Sequence, residues 1–141
     1  MPSKRGFLET SGVAVFGVSP KRKTFAAEVE KALQAAGVKA YKVNPDGGNG
    51  FFATLDSLPE RVDAVYIATN KQNASAIVDN VIAYGAKKVW LQYGAFDKRI
   101  IEKCENAGLE THSGCLMMYI PNAGFIHSFH RFLYELFKGK Q

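Results

Sequence analysis

Val13-Ala-Val-Phe-Gly17-Val-Ser-Pro-Lys-Arg-Lys-Thr-Phe25 is the stretch from which the rest of the chain can be read. Its first four residues are apolar, β-branched or aromatic in the main, and do not alternate with polar ones. Such a run is too short for a helix and reads as a strand buried on both faces. Gly17 closes it and lets the backbone turn tightly. Beyond the turn, Ala26, Val29, Ala32, Leu33 and Ala36 share one helical face, and Gly37 is a natural C-terminal stop. Strand, glycine turn and helix make the first half of a βαβ unit.

The same grammar recurs along the chain. Lys39-Ala-Tyr-Lys-Val43 is closed by Asn44-Pro45, and Ala64-Val-Tyr-Ile-Ala68 by Thr69-Asn70. Lys88-Val-Trp-Leu91 is closed by Gln92-Tyr93-Gly94, and Leu109-Glu-Thr111 by His112-Ser113-Gly114. Strand starts at 13, 39, 64, 88 and 109 are spaced by 26, 25, 24 and 21 residues. Ala74, Ile77, Val78, Val81 and Ile82 form a second helical stripe ended by Gly85; Ile100, Ile101, Cys104 and Ala107 form a third ended by Gly108. Residues 46–63 are Gly-rich and weakly patterned, which predicts a loop with a short helix around Leu55 to Leu58. Strand and helix alternating at this period predict an α/β protein with an open, parallel, five-stranded sheet and helices on both faces.

The remaining composition narrows the class. A chain of 141 residues is one domain's worth, with 47% hydrophobic and 22% charged residues, which excludes a disordered protein. Two cysteines build neither a disulfide framework nor a four-ligand zinc site, so a reducing, cytoplasmic setting is expected. The basic start lacks an apolar segment behind it, and no long apolar run exists, so secretion and membrane spanning are not expected. A net charge of +5 favours anionic partners, either nucleic acid or a phosphorylated small molecule. After Pro121-Asn122, an amphipathic helix is predicted over about 123–138. Phe125, Ile126, Phe129, Phe132, Leu133, Leu136 and Phe137 lie on one face, with His127, His130, Arg131 and Lys138 on the other. Packing on the sheet, a dimer contact, and a membrane-surface or nucleic-acid helix are the three readings of it. Monomer and homodimer both stay open.

In an open parallel sheet, ligands bind beyond the carboxyl ends of the strands, at the switch point in strand order. With the first strand central, the loops after strands one and four are expected to flank that crevice. The candidates are therefore Gly17 to Lys23, Asn44-Pro45, Thr69-Asn70, Gln92 to Gly94 and His112 to Cys115. The first loop says most. Ser19 offers a hydroxyl, the next helix offers free N–H groups to an anion, and Lys21, Arg22 and Lys23 add three positive charges. The alternative is a solvated basic turn.

Several chemistries are absent. A dinucleotide fingerprint would need glycines where Ser19 and Arg22 stand, and the second strand ends in Asn44 rather than a carboxylate. There is no Gly-Lys-Ser/Thr, no His-Glu-x-x-His and no Gly-x-Ser-x-Gly, and the first strand ends in Phe16, without the acidic residue that a receiver domain carries there. No catalytic residue and no metal ligand set is assigned. His127 and His130 lack a third ligand, and Cys104 sits on an apolar stripe. Cys115, just past a strand end, reads equally as a functional thiol or as packing. His112 is the single candidate acid or base near the crevice.

Ala14-Val-Phe-Gly-Val-Ser19, Val43-Asn-Pro45, Val89-Trp-Leu-Gln-Tyr-Gly94, Ala107-Gly-Leu109 and a Cys after the fifth strand together resemble the CoA-binding domain family. Its members are small stand-alone proteins similar to the CoA-binding domain of the succinyl-CoA synthetase alpha subunit. The resemblance covers roughly residues 10–120. It implies a Rossmann-like sheet, here expected in the order 3-2-1-4-5, forming a single domain that binds coenzyme A or an acyl-CoA. It places phosphates near Gly17, Val18, Ser19 and Lys21. It places adenosine near Val43, Asn44, Pro45, Ala68 and Thr69, and pantetheine towards Gln92, Gly94 and Cys115. Arg22 and Asn70, in the same loops, complete the expected binding residues. Val18 stands where the family usually has Ala, and Leu116-Met-Met-Tyr119 lacks the charges usual after the Cys. The reading is a CoA binder without evident catalysis. The rivals are an NAD(P)- or other nucleotide-dependent enzyme and a basic nucleic-acid binder.

Overall fold

Five strands, all parallel, form one sheet: β1 (Val13–Phe16), β2 (Ala40–Val43), β3 (Ala64–Ile67), β4 (Lys88–Leu91) and β5 (Glu110–Ser113). The computed structural model describes residues 4–121. The helix predicted over 123–138 lies outside the described residues. Three helices link the strands: α1 (Phe25–Ala35), α2 (Lys71–Tyr84) and α3 (Lys98–Asn106). Each begins on a capping side chain. Thr24 Oγ1 accepts from Ala27 N at 3.3 Å, Asn70 Oδ1 from Asn73 N at 2.8 Å, and Asp97 Oδ1 from Ile100 N at 2.9 Å. The segment between β2 and β3 holds only a short 3-10 helix, Leu55–Ser57, close to the predicted position.

The strand order is β2-β1-β3-β4-β5, which corrects the expected 3-2-1-4-5. Val13 faces both Ala40 and Ala64, and Phe16 faces both Val43 and Ile67, so β1 lies between β2 and β3. The reason lies in what each strand must hide. Ala64-Val-Tyr-Ile67 is uncharged and wholly buried, so it needs a neighbour on each side and a layer on each face. Ala40-Tyr-Lys-Val43 carries a lysine and buries fully only Val43, which suits an edge.

Right-handed crossovers then place the helices. The chain moves from β1 to β2 one way and from β3 to β5 the other, so α1 covers one face while α2 and α3 cover the other. The α1 face packs Val13, Val15, Val29, Leu33, Tyr66, Trp90 and Leu116, and is closed by Phe7 from a 3-10 helix at Arg5–Leu8. The Phe7 ring meets Trp90 edge-on at 5.5 Å, and Lys88 Nζ donates to the carbonyls of Gly6 and Glu9 at 2.9 Å each. The opposite core packs Phe16, Val65, Ile67, Val78, Val81, Leu91 and Cys104 with Leu55 and Val62 of the β2–β3 connection. No helix among the described residues is long and apolar enough to cross a membrane.

The fifth strand runs from Glu110 to Ser113, so His112 belongs to the strand and not to the loop after it. Its ring stacks on Trp90 at 5.3 Å, and its Nε2 lies 2.8 Å from Glu110 Oε2. That removes His112 from the crevice. Strand periodicity puts residues 110 and 112 on one face, and the register sets His112 beside Trp90.

Candidate functional site

A cavity of about 720 Å³ opens at the carboxyl ends of β1, β2 and β3 and continues along α2. The corrected strand order explains the place. The chain leaves β1 and β3 in opposite directions, so the switch point falls between these two strands rather than between β1 and β4. Phe16, Gly17, Val18, Ser19 and Arg22 line it from β1 and its loop, Val43, Asn44 and Pro45 from β2, and Ala68, Thr69 and Asn70 from β3. The α2 residues Asn73, Ala76, Ile77, Asn80, Ala83 and Tyr84 line it from one side, and residues 53–56 line it from the β2–β3 connection.

The loops at the mouth are tied to one another. Gly17 adopts φ +120° against the Ala68 carbonyl, where a side chain has no room. Asn44 Nδ2 donates to the Val18 carbonyl at 3.1 Å, while its Oδ1 accepts from Asp46 N at 2.9 Å. Both polar ends of Asn44 are thus engaged in joining the first loop to the second. Ser19 Oγ accepts from Lys21 N at 3.1 Å, which shapes the first loop and leaves the hydroxyl proton for a ligand. At the start of α2 the first turn has no acidic residue and opens with Lys71, so the positive end of the helix dipole is not neutralised from within.

Comparison with known proteins fits this geometry. The family described as CoA binding domain matches residues 11–121. The chain belongs to the CoA-binding domain family. A hypothetical protein from Pyrococcus horikoshii is 26% identical, with a TM-score of 0.73 over 82% of this chain and 85% of that one. The PH1109 protein redesigned for binding is 28% identical, with a TM-score of 0.72 over 82% of this chain and 84% of its own. A dinucleotide-forming acetyl-coenzyme A synthetase from Ca. Korarchaeum cryptofilum, 18% identical, shares the fold at a TM-score of 0.63 over 77% of this chain and 27% of its own.

In this CoA-binding domain the cavity gathers Gly17, Val18, Ser19, Arg22, Val43, Asn44, Pro45, Ala68, Thr69 and Asn70 from the residues that the sequence singles out. Lys21, Gln92, Gly94 and Cys115 lie outside it. Lys21 is exposed within the first loop. Gln92 is 5% exposed and works as a brace: its Oε1 accepts from Tyr66 Oη at 2.8 Å and from Leu116 N at 3.3 Å. Burial holds the Tyr66 phenol well above its ordinary range, with the nearby Cys115 adding to the effect. Trp90 Nε1 donates to the Gly114 carbonyl at 3.0 Å, so the segment around Cys115 is pinned to the sheet. Cys115 itself is half-buried. Cys104 is buried in the α2–α3 core, and burial pushes its thiol up to about 11. Among the described residues no group of three His, Cys, Asp or Glu side chains could hold a metal ion.

Sequence reasoning missed the side of α2 and residues 53–56. A signal for the first exists. Asn73, Ala76, Asn80 and Ala83 recur at helical spacing opposite the buried stripe and carry no charge, unlike an ordinary solvated face. Nothing local marks residues 53–56 as a wall of the site. They become one because the β2–β3 connection forms no full helix over this part of the sheet.

Proposed function

We propose that this chain, as a single domain, binds one molecule of coenzyme A or an acyl-CoA in the cavity and performs no chemistry with its own side chains. The observation that carries the reading is the convergence, in a chain of this family, of the Gly17–Ser19 turn and the start of α2 on one cavity of ligand size. The diphosphate would lie between the turn and the N–H groups of α2. The adenosine would lie against Val43, Pro45, Ala68 and Ile77. Pantetheine would run towards β4 and β5. The order β1-β3-β4-β5 puts β5 three strand spacings from β1, roughly 14 Å. An extended pantetheine arm, about four peptide-like units long, spans about the same distance. On this reading the arm would reach the loops of Gly94 and Cys115, which lie beyond the cavity, while Gln92 stays a buried brace beneath them.

The chemistry favours CoA over the rivals. A dinucleotide site wants a carboxylate at the end of β2 for the ribose hydroxyls, and Asn44 there has both polar ends engaged by the loops. Acid–base catalysis wants a titratable group in the crevice. The cavity lining holds Asp56 and Tyr84 beside the cation Arg22, while His112, the acid or base that the sequence offers, packs inside the α1 face and away from the crevice. A calorimetric titration tests the reading. CoA should saturate at one molecule per chain and NAD should bind at least about tenfold more weakly. No heat with CoA, or tighter binding of NAD, overturns it. Binding to a nucleic-acid duplex that falls steeply with salt would favour the basic-helix rival instead.

A further inference from the structure

The sheet has two edges, and the described residues close one of them. At the β2 edge, Phe52 N donates to the Lys42 carbonyl at 2.8 Å and Asn44 N to the Phe52 carbonyl at 2.9 Å, so the β2–β3 connection caps that strand. At the other edge lies β5, with β4 as its neighbour in the sheet. Two bonds fix its alternation: Glu110 N donates to the Lys87 carbonyl at 2.9 Å, and Gly114 N to the Leu91 carbonyl at 3.0 Å. Residues 110, 112 and 114 therefore turn their backbone groups towards β4, and Leu109, Thr111 and Ser113 turn theirs outward. From that outer side Lys4 Nζ donates to the Ser113 carbonyl at 3.0 Å. Among the described residues, the Thr111 N–H and C=O and the Ser113 N–H have no partner. Open edges are commonly blunted by a lysine or a proline within the strand, and Glu110-Thr-His-Ser113 has neither. The two exposed large apolar side chains among the described residues stand at the carboxyl end of the same edge. Tyr93 is 70% exposed, with its Oη 3.7 Å from where a Cβ on Gly114 would be, and Met118 is 67% exposed in the 3-10 helix Leu116–Tyr119.

We propose that the β5 edge binds a second copy of this chain, antiparallel about a two-fold axis at Thr111, so that the two sheets join into one. The register follows from the unpaired groups. Thr111 opposite Thr111 of the second copy exchanges two N–H to C=O bonds, and each Ser113 N–H reaches the Leu109 carbonyl of the other copy. This uses the spare donors and leaves Lys4 on the Ser113 carbonyl. An axis at His112 would instead set the Thr111 N–H on the carbonyl that Lys4 already holds. With the axis at Thr111, Glu110 stands opposite His112 of the second copy and no like charges meet. The contact is self-complementary, as a two-fold dimer requires. The Tyr93 and Met118 end of one edge comes beside the Ala107-Gly108 turn of the other copy and extends the contact beyond the strands. Sedimentation equilibrium of the full chain tests this and should give twice the chain mass at micromolar concentration. T111P removes a donor that the β4–β5 ladder does not use, so it should keep a cooperative thermal melt and weaken the dimer at least about 30-fold, two backbone hydrogen bonds' worth. Should T111P fail to fold, T111K, which sets two ammonium groups across the axis, should weaken it likewise. Under mild oxidation T111C chains should form a reducible dimer beyond what the wild type forms, since the paired Cα atoms would lie about 5.5 Å apart. A wild type that stays monomeric at about 100 μM overturns the proposal and leaves the edge to an extended peptide of another protein. A dimer that survives T111P or T111K in folded protein, or T111C chains that do not cross-link, overturns it by putting the contact elsewhere.

Discussion

Replacing Gly17 by alanine should damage this protein far more than one methyl group suggests. At Gly17 the backbone has φ +120°, a region that L side chains rarely adopt. The added Cβ would fall well inside the van der Waals contact distance of the Ala68 carbonyl oxygen, 3.0 Å from that carbonyl carbon and 3.2 Å from Ala26 Cβ. The dihedral strain alone costs about 1–2 kcal/mol. Overpacking against backbone adds about 1–3 kcal/mol, because neither neighbour can swing aside. Moving Ala68 would break its 3.0 Å hydrogen bond to the Phe16 carbonyl, about another 1 kcal/mol. The sum is about 3–6 kcal/mol, a large part of what holds an ordinary domain folded. With a urea slope near 1.5 kcal/mol/M, the unfolding midpoint should fall by roughly 2–4 M. Gly37 supplies the control. Its φ is +83° and nothing lies within 4 Å of its would-be Cβ, so G37A should cost only the dihedral strain, about 1 kcal/mol. Urea melts of the two variants by circular dichroism decide the matter. A G17A protein no less stable than G37A would refute the claim that the β1 and β3 loops meet in van der Waals contact at the mouth of the cavity.

Three further outcomes follow from the geometry. S19A should weaken CoA binding about 5- to 10-fold by removing a lining hydroxyl, while K21A, exposed and off the lining, should change it less than about 3-fold at physiological salt; calorimetry showing the reverse would move the anion site towards Lys21. Q92L should destabilise the fold by about 2 kcal/mol or more, because Tyr66 Oη and the Leu116 N–H lose their shared acceptor; an unchanged melting temperature would contradict the bracing role. A thiol titration of the native protein near neutral pH should count Cys115 and miss Cys104, with both counted on unfolding. Because the folded thiol of Cys104 is raised from 9.0 to about 11, its contribution to stability is complete below pH 9 and is lost as pH climbs towards 11; C104A should flatten that alkaline decline in thermal melts, and an equally steep decline would reject the assignment.

Much of the architecture was legible because it is local. Val13–Phe16 reads as a strand from four consecutive apolar residues, and Gly85, at φ +91°, ends α2 where the period of Ala74, Val78 and Val81 stops. Turn residues and periodicity act over a few neighbours, so the elements, the glycine turn at Gly17 and the β2 and β3 termini of the site could be read directly. Strand order could not be read in the same way. Pairing β1 with β3 joins Val13 to Ala64, about fifty residues apart, and what drives it is the need to cover both faces of Ala64–Ile67. That is a competition among strands for interior places, which no single segment reveals.

What the sequence by itself determined was the inventory: a parallel α/β chain, a glycine turn after the first strand, and a family resemblance carried by the strand ends. What only the tertiary structure decided was which parts of that inventory meet. The interior place of β3 moved the crevice to the β1–β3 boundary and brought in the Asn73–Tyr84 side of α2. Register turned His112 towards Trp90, burial made Gln92 a brace, and Phe7, from a start that reads only as basic, closed the α1 face. The division has one physical cause. Backbone propensity and turn chemistry are properties of short stretches, whereas burial and register are properties of pairs of segments far apart in the chain, set only when the whole core packs.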